Sequence, residues 1–131
     1  MKHWVFVIKD SERVFKERVK NKVWPIYANT RHRGNIGKNH KILFYKAGKT
    51  DGQRFLGTAT LLSHSKIVPG KMDSFVQLAE ISVWKKPVQI KPILGILEFI
   101  KDKQNWGLYL QGGIRRILKS DFELVVSISK K

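Results

Sequence analysis

The sequence predicts an α+β fold: a small, twisted, antiparallel or mixed β barrel with about three helices on its outside. Three observations carry that prediction. The elements read strand, helix, loop, three strands, helix, two strands, helix, which is not an alternation of β-α-β units. Most strands have a sequence neighbour to pair with, as antiparallel sheets prefer. Gly57 interrupts a strand in the way a barrel corner requires.

The elements follow in order. Trp4-Val5-Phe6-Val7-Ile8 is aromatic and β-branched, the composition of a strand. Asp10 or Ser11 can cap a helix running to about Lys20, with Val14, Phe15 and Val19 as its apolar stripe. From Val23 to Lys41 the pattern breaks, and Pro25, Gly34, Gly37 and several cations predict a long basic loop. Lys41 to Lys46 and Arg54 to Leu62 form a hairpin around Gly48 and Gly52. After a Pro69-Gly70 turn, Phe75 to Lys85 alternates and continues toward Val88 and Ile90. Pro92 opens a helix from Ile93 to about Lys101, with Ile93, Leu94, Ile96, Leu97 and Ile100 inward. Trp106 to Leu110 and Ile114 to Ile117 are short strands about Gly112-Gly113, and Ser120-Asp121-Phe122-Glu123 is a capping box for a last helix.

Composition bounds function. The 131 residues carry 26 Lys and Arg against 10 Asp and Glu, a net charge of +16, with four tryptophans. Such a field attracts polyanions. A hydrophobic content of 42% supports a core, so the chain is no disordered tail. One domain, residues 1–131, is expected at this length. The absence of cysteine excludes disulfides, thiolate zinc sites and cysteine nucleophiles, and points to a cytoplasmic setting. No stretch reaches the ~20 apolar residues of a membrane span, and the charges do not gather on one amphipathic helix, so no membrane partner is expected. His3, His32, His40 and His64 lack paired ligand spacing, and no acid–base pair is visible among the carboxylates. No metal, no cofactor and no enzymatic activity are expected. Glu80, in a strand, needs a partner and is read as one half of a salt bridge.

The segments Trp4 to Ile8, Val23-Trp24 and Lys41 to Lys46, together with Phe99-Ile100-Lys101-Asp102-Lys103-Gln104-Asn105-Trp106-Gly107-Leu108-Tyr109-Leu110-Gln111-Gly112-Gly113-Ile114-Arg115-Arg116-Ile117 and the later Asp121-Phe122, resemble the EVE domain of the PUA-like superfamily over nearly the whole chain. The resemblance implies a twisted pseudo-barrel with a cleft on one side. Relatives such as YTH, ASCH and PUA domains bind RNA or modified nucleobases, and some EVE proteins are thought to recognise modified cytosine in DNA. A Gly-Asp pair usual before the second strand is replaced by Asn39-His40.

By that resemblance Trp24, Tyr27, Asn29 and Thr30 line the cleft, with Asn29 and Thr30 reading a base edge. Trp106 is a further candidate for the base pocket. An aromatic face stacks on any base for about 1–3 kcal/mol, although each Trp could equally fill a core. On that reading Trp24→Ala loses discrimination between modified and plain bases. Arg31, Arg33, Lys38 and Lys41 alternate with Gly and Asn after the proposed pocket and are candidates for phosphate contact, as are Arg115 and Arg116 after two glycines. The sequence therefore predicts a nucleic-acid-binding module, for RNA or modified DNA, that recognises one base. Alternatives are a binder of structured RNA such as tRNA or rRNA without a base pocket, a small enzyme acting on RNA or a nucleotide, or a domain for an acidic protein partner.

Overall fold

The computed structural model describes residues 2–9, 11–27, 36–48, 52–62, 73–111 and 113–130, with the backbone alone for Tyr27, Asp73 and Ser74. Six strands, β1 (His3–Ile8), β2 (Val23–Tyr27), β3 (Lys41–Lys46), β4 (Arg54–Leu61), β5 (Asp73–Gln89) and β6 (Ile114–Ile117), form one sheet in the order β2-β5-β4-β3-β1-β6. Strands β1 and β3 run parallel, and every other pair is antiparallel. Among the described residues there are also two α-helices, α1 (Glu12–Asn21) and α2 (Lys119–Ser129), and two 3-10 helices, Lys91–Ile96 and Trp106–Leu110.

The sheet curls on itself. Three strands separate β2 from β1 in the order, yet Trp24 on β2 meets Phe6 on β1 at 5.9 Å between ring centroids and stacks on Phe44 of β3 at 5.0 Å. The result is the mixed half-barrel that the strand order predicted. Its inner cluster joins Trp4, Phe6 and Ile8 with Phe15 of α1, Trp24, Phe44, Leu78 and Ile36. The opposite face joins Val5, Val7, Leu43, Tyr45 and Phe55 with Ile93, Leu97, Ile100 and Val125 from the chain laid over it. Strands β1 and β3 are buried on both faces, which is why they are continuous apolar runs rather than alternating ones.

Gly57 sits at a close approach of β4 to β5. A Cβ there would run into the carbonyl oxygen of Ser82, so only glycine allows this approach. The pairing slips on either side of it.

Four expectations are corrected. Val23–Tyr27 is a strand rather than the start of a long loop, paired with Gln77 to Asp73. Proline lacks the amide that a second neighbour would need, but β2 is an edge strand, so Pro25 is tolerated. The expected helix from Ile93 to Lys101 is a six-residue 3-10 helix that ends at Ile96, next to Gly95, and Ile96 points to solvent. Trp106–Leu110 is a 3-10 helix rather than a strand. It follows a turn in which Asp102 accepts from the backbone amides of Gln104 and Asn105 and from the Asn105 side chain, bonds that also hold the Asp102 carboxyl below its usual range.

The last correction concerns the capping box. Helix α2 starts at Lys119 with Leu118 at its N-cap and no side-chain cap. The Asp121 carboxylate instead accepts from the backbone amides of Glu98 (2.8 Å) and Phe99 (2.7 Å), tying α2 to the turn beyond the first 3-10 helix.

Candidate nucleic-acid interface

The first residues of β1 lie between β3 and β6 at one end of the half-barrel. His3 pairs with Lys41 on one side and Ile117 on the other, and Trp4 pairs with Ile42 and Arg116. Strand β4 ends beside them, since Lys41 also pairs with Thr60. Strand ends from both directions therefore converge on a patch that carries Lys38, Lys41, Arg116 and Lys119.

Each cation is held differently, Lys119 by an exposed pair with Glu123 one turn along α2 (3.6 Å). Lys38 is exposed in the turn between Gly37 and His40. The imidazole of His40 fixes that turn: its Nδ1 accepts both from the Trp4 indole Nε1 (3.1 Å) and from the Gly37 backbone amide (3.0 Å). Two donors on Nδ1 place the ring proton of a neutral imidazole on Nε2. The Arg116 guanidinium carbon stands 5.6 Å from the centroid of the Trp4 ring, on the inner side of the sheet. Lys41 leaves the outer side, where its ammonium donates to Thr60 Oγ1 (2.8 Å) and lies 3.5 Å from Glu80. Glu80 thus has the expected ion-pair partner, but its carboxylate is exposed and not turned inward, so burial does not require the pair.

His3 lies among these cations, with its ring 5.0 Å from that of Phe122. Burial lowers its pKa, and neighbouring Lys119 adds to the effect while Glu123 opposes it. The ring is therefore kept neutral more readily than a free histidine. Beside Arg116 a groove of about 280 Å³ opens over Phe99, Ile117 and Leu118, bordered by Lys101 and Glu98.

The expected base pocket fares differently. Trp24 is 3% exposed, stacked on Phe44 and edge-on to Phe15, with the Arg18 guanidinium carbon 4.8 Å from its ring centroid. It is a core residue here, with no open face for a base. Trp106 is half-buried against the cluster on the other side of the sheet, so Trp24 and Trp106 cannot form two walls of one clamp. Asn29, Thr30, Arg31 and Arg33 lie outside the described residues, as does the Tyr27 side chain. In the chain they run from the end of β2 to Ile36, which is buried in the inner cluster. Arg115 points away from Arg116, its guanidinium carbon 5.0 Å from the Tyr109 ring centroid. The sequence reading did not bring Lys119 or His40 to this end of the sheet, nor Trp4 and His3, which are buried there. The apolar run around Trp4 signalled only a core strand, and the histidines had been considered only as metal ligands.

Comparison with solved structures identifies the architecture. The Rhodopseudomonas palustris protein Rpa0253 matches with a TM-score of 0.73 at 11% identity, covering 99% of this chain and 94% of its own. Human THYN1, solved in complex with 5-methylcytosine-containing DNA, matches at 0.69 and 12% identity, covering 100% and 99%. The YTH domain of Mmi1 matches at 0.60 and 11% identity, covering 98% and 89%. The chain has the EVE/PUA-like fold. No protein-family model and no curated protein sequence matches it. Of the cations at the basic end, Lys41 and Arg116 stand on strand termini, whereas Lys38 is exposed in the turn before β3 and Lys119 in the first turn of α2, 3.6 Å from Glu123. Among the described residues no helix is long and apolar enough to cross a membrane, and no three metal-ligating side chains come together.

Proposed function

We propose that the chain is a nucleic-acid-binding module that recognises a modified base, with the basic end around β1 receiving the phosphates. The observation that carries this reading is a net charge of +16 on the EVE/PUA-like fold, the fold in which THYN1 holds 5-methylcytosine DNA. Lys38, Lys41, Arg116 and Lys119 supply a sequence-blind, salt-dependent attraction. Arg31 and Arg33 follow β2 in the chain and add to the same charge. A base taken out of the stack needs an aromatic or apolar surface and polar groups for its edge. With Trp24 in the core, those roles fall to Tyr27, Asn29 and Thr30, and to the groove beside Arg116. The module is proposed to bind and not to catalyse.

The test uses salt dependence. Each phosphate contact removed lowers the slope of log affinity against log salt by about 1. The Lys38→Ala, Arg116→Ala double variant is expected to lower the slope by roughly 2 and to weaken binding at low salt, as followed by fluorescence anisotropy of a labelled oligonucleotide. Arg13→Ala removes an exposed cation already paired with Glu17 on α1 and is expected to leave the slope unchanged. Equal effects from the two variants would contradict the placement of the interface at the β1 end.

A further inference from the structure

Away from the basic end, β5 departs from regular pairing. Gly57 faces Val83 and Phe55 faces Val88, so the single residue Leu56 on β4 stands opposite Trp84, Lys85, Lys86 and Pro87 on β5. An excursion of this size pushes β5 away from its partner, and bulges of this kind re-aim side chains. The space between the bulge and α1 is a cleft of about 490 Å³. That volume lies within the range of small-molecule sites, roughly 300–1,000 Å³.

The lining divides by chemistry. Leu56, Val83 and Pro87 supply apolar surface, and Trp84, half-buried where it also packs against the cluster of the opposite face, adds its exposed part to the lining. Lys16 from α1, Lys85 from the bulge and Arg54 from the start of β4 supply three cations against one carboxylate, Glu12, which is ion-paired to Arg54. Among the described residues neither Lys16 nor Lys85 has a carboxylate partner, and both are exposed. The pairing fixes the Arg54 guanidinium while leaving the two ammonium groups to meet an anion from opposite walls. Gln89 adds an amide able both to donate and to accept.

We propose that this cleft binds a nucleoside 5′-monophosphate unit, its ring against the Trp84 wall and its phosphate between Lys16 and Lys85. The unit comes either from a free nucleotide or from the 5′-phosphorylated end of a strand. The site is distinct from the basic end: β4 runs from Arg54 at the cleft to Leu61 at that end, and seven steps along a strand span roughly 20 Å. The inference does not rest on the base-recognition reading, and either can fail alone.

The test titrates isotope-labelled protein with CMP, AMP, the corresponding nucleosides and inorganic phosphate, and follows backbone and indole resonances. The expected result is that CMP or AMP shifts resonances of residues 12–16, 54–56 and 83–89, and binds roughly tenfold or more tightly than its nucleoside or inorganic phosphate. The Lys16→Ala, Lys85→Ala variant, altered only at exposed side chains, should lose that advantage, while the Lys38→Ala, Arg116→Ala variant keeps it. A 5′-phosphorylated oligonucleotide that displaces CMP better than its 5′-hydroxyl form assigns the strand end. Displacement by neither assigns the free nucleotide. Nucleotide affinity equal to that of nucleoside or of phosphate, shifts confined to residues 37–41 and 114–119, or no shifts at millimolar nucleotide would overturn the proposal.

Discussion

Trp24→Ala is expected to destabilise the protein by about 3–5 kcal/mol, the usual cost of truncating a buried large aromatic. The reason is its place in the inner cluster. Trp24 stacks on Phe44 and touches the rings of Phe6 and Phe15, so one side chain joins β2, β1, β3 and α1. Its removal leaves a cavity at the point where the curled sheet meets itself, and small domains have little stability to spare. Urea denaturation followed by circular dichroism measures the loss. Nucleic-acid binding should weaken for modified and plain bases alike, in step with the folded fraction. A variant within 1 kcal/mol of the parent that loses only modified-base discrimination would place Trp24 against the ligand and contradict the core assignment.

Asp121→Ala is expected to cost a similar amount, about 3–5 kcal/mol, through a different mechanism. The carboxylate is 2% exposed and accepts two backbone amides, those of Glu98 and Phe99. Hydrogen bonds to charged groups contribute about 1.5–3 kcal/mol each, and amides left unpaired in a buried setting carry their own penalty. Asp121→Asn should fall between the two, because the side-chain amide can accept one of these bonds while its NH2 opposes the other donor. Native-state hydrogen exchange offers a local check: the amides of residues 98 and 99 should lose protection first in the alanine variant. A loss under 1 kcal/mol would mean that α2 is held by Val125 and its apolar neighbours alone.

These two residues also mark where sequence reasoning stops. Strands β1 and β3 were legible from their β-branched and aromatic runs, β4 as the return of a glycine hairpin, β5 from its alternation and β6 from its place after two glycines, none of which needs distant information. Strand β2 was hidden by Pro25, which argues against a strand until its edge position is known. Asp121 reads locally as part of a capping box, and only the fold brings Glu98 and Phe99 to it. The same holds for Trp24, whose neighbours Phe6, Phe15 and Phe44 come from three other elements. The charge of the site was legible from composition, whereas its gathering at one end was not. That gathering depends on the parallel pairing of β1 with β3 and the addition of β6, which bring Lys41 and Arg116 to the first residues of β1.

The four tryptophans provide the signal for the most direct test of base recognition. The protein is titrated by intrinsic fluorescence with matched short RNA and DNA oligonucleotides, each with and without 5-methylcytosine, at low and high salt. Base recognition predicts tighter binding of a modified strand, with a preference that persists at high salt when the phosphate attraction has faded. Equal binding of all four strands, collapsing together as salt is raised, would contradict it and leave a basic surface without a base site.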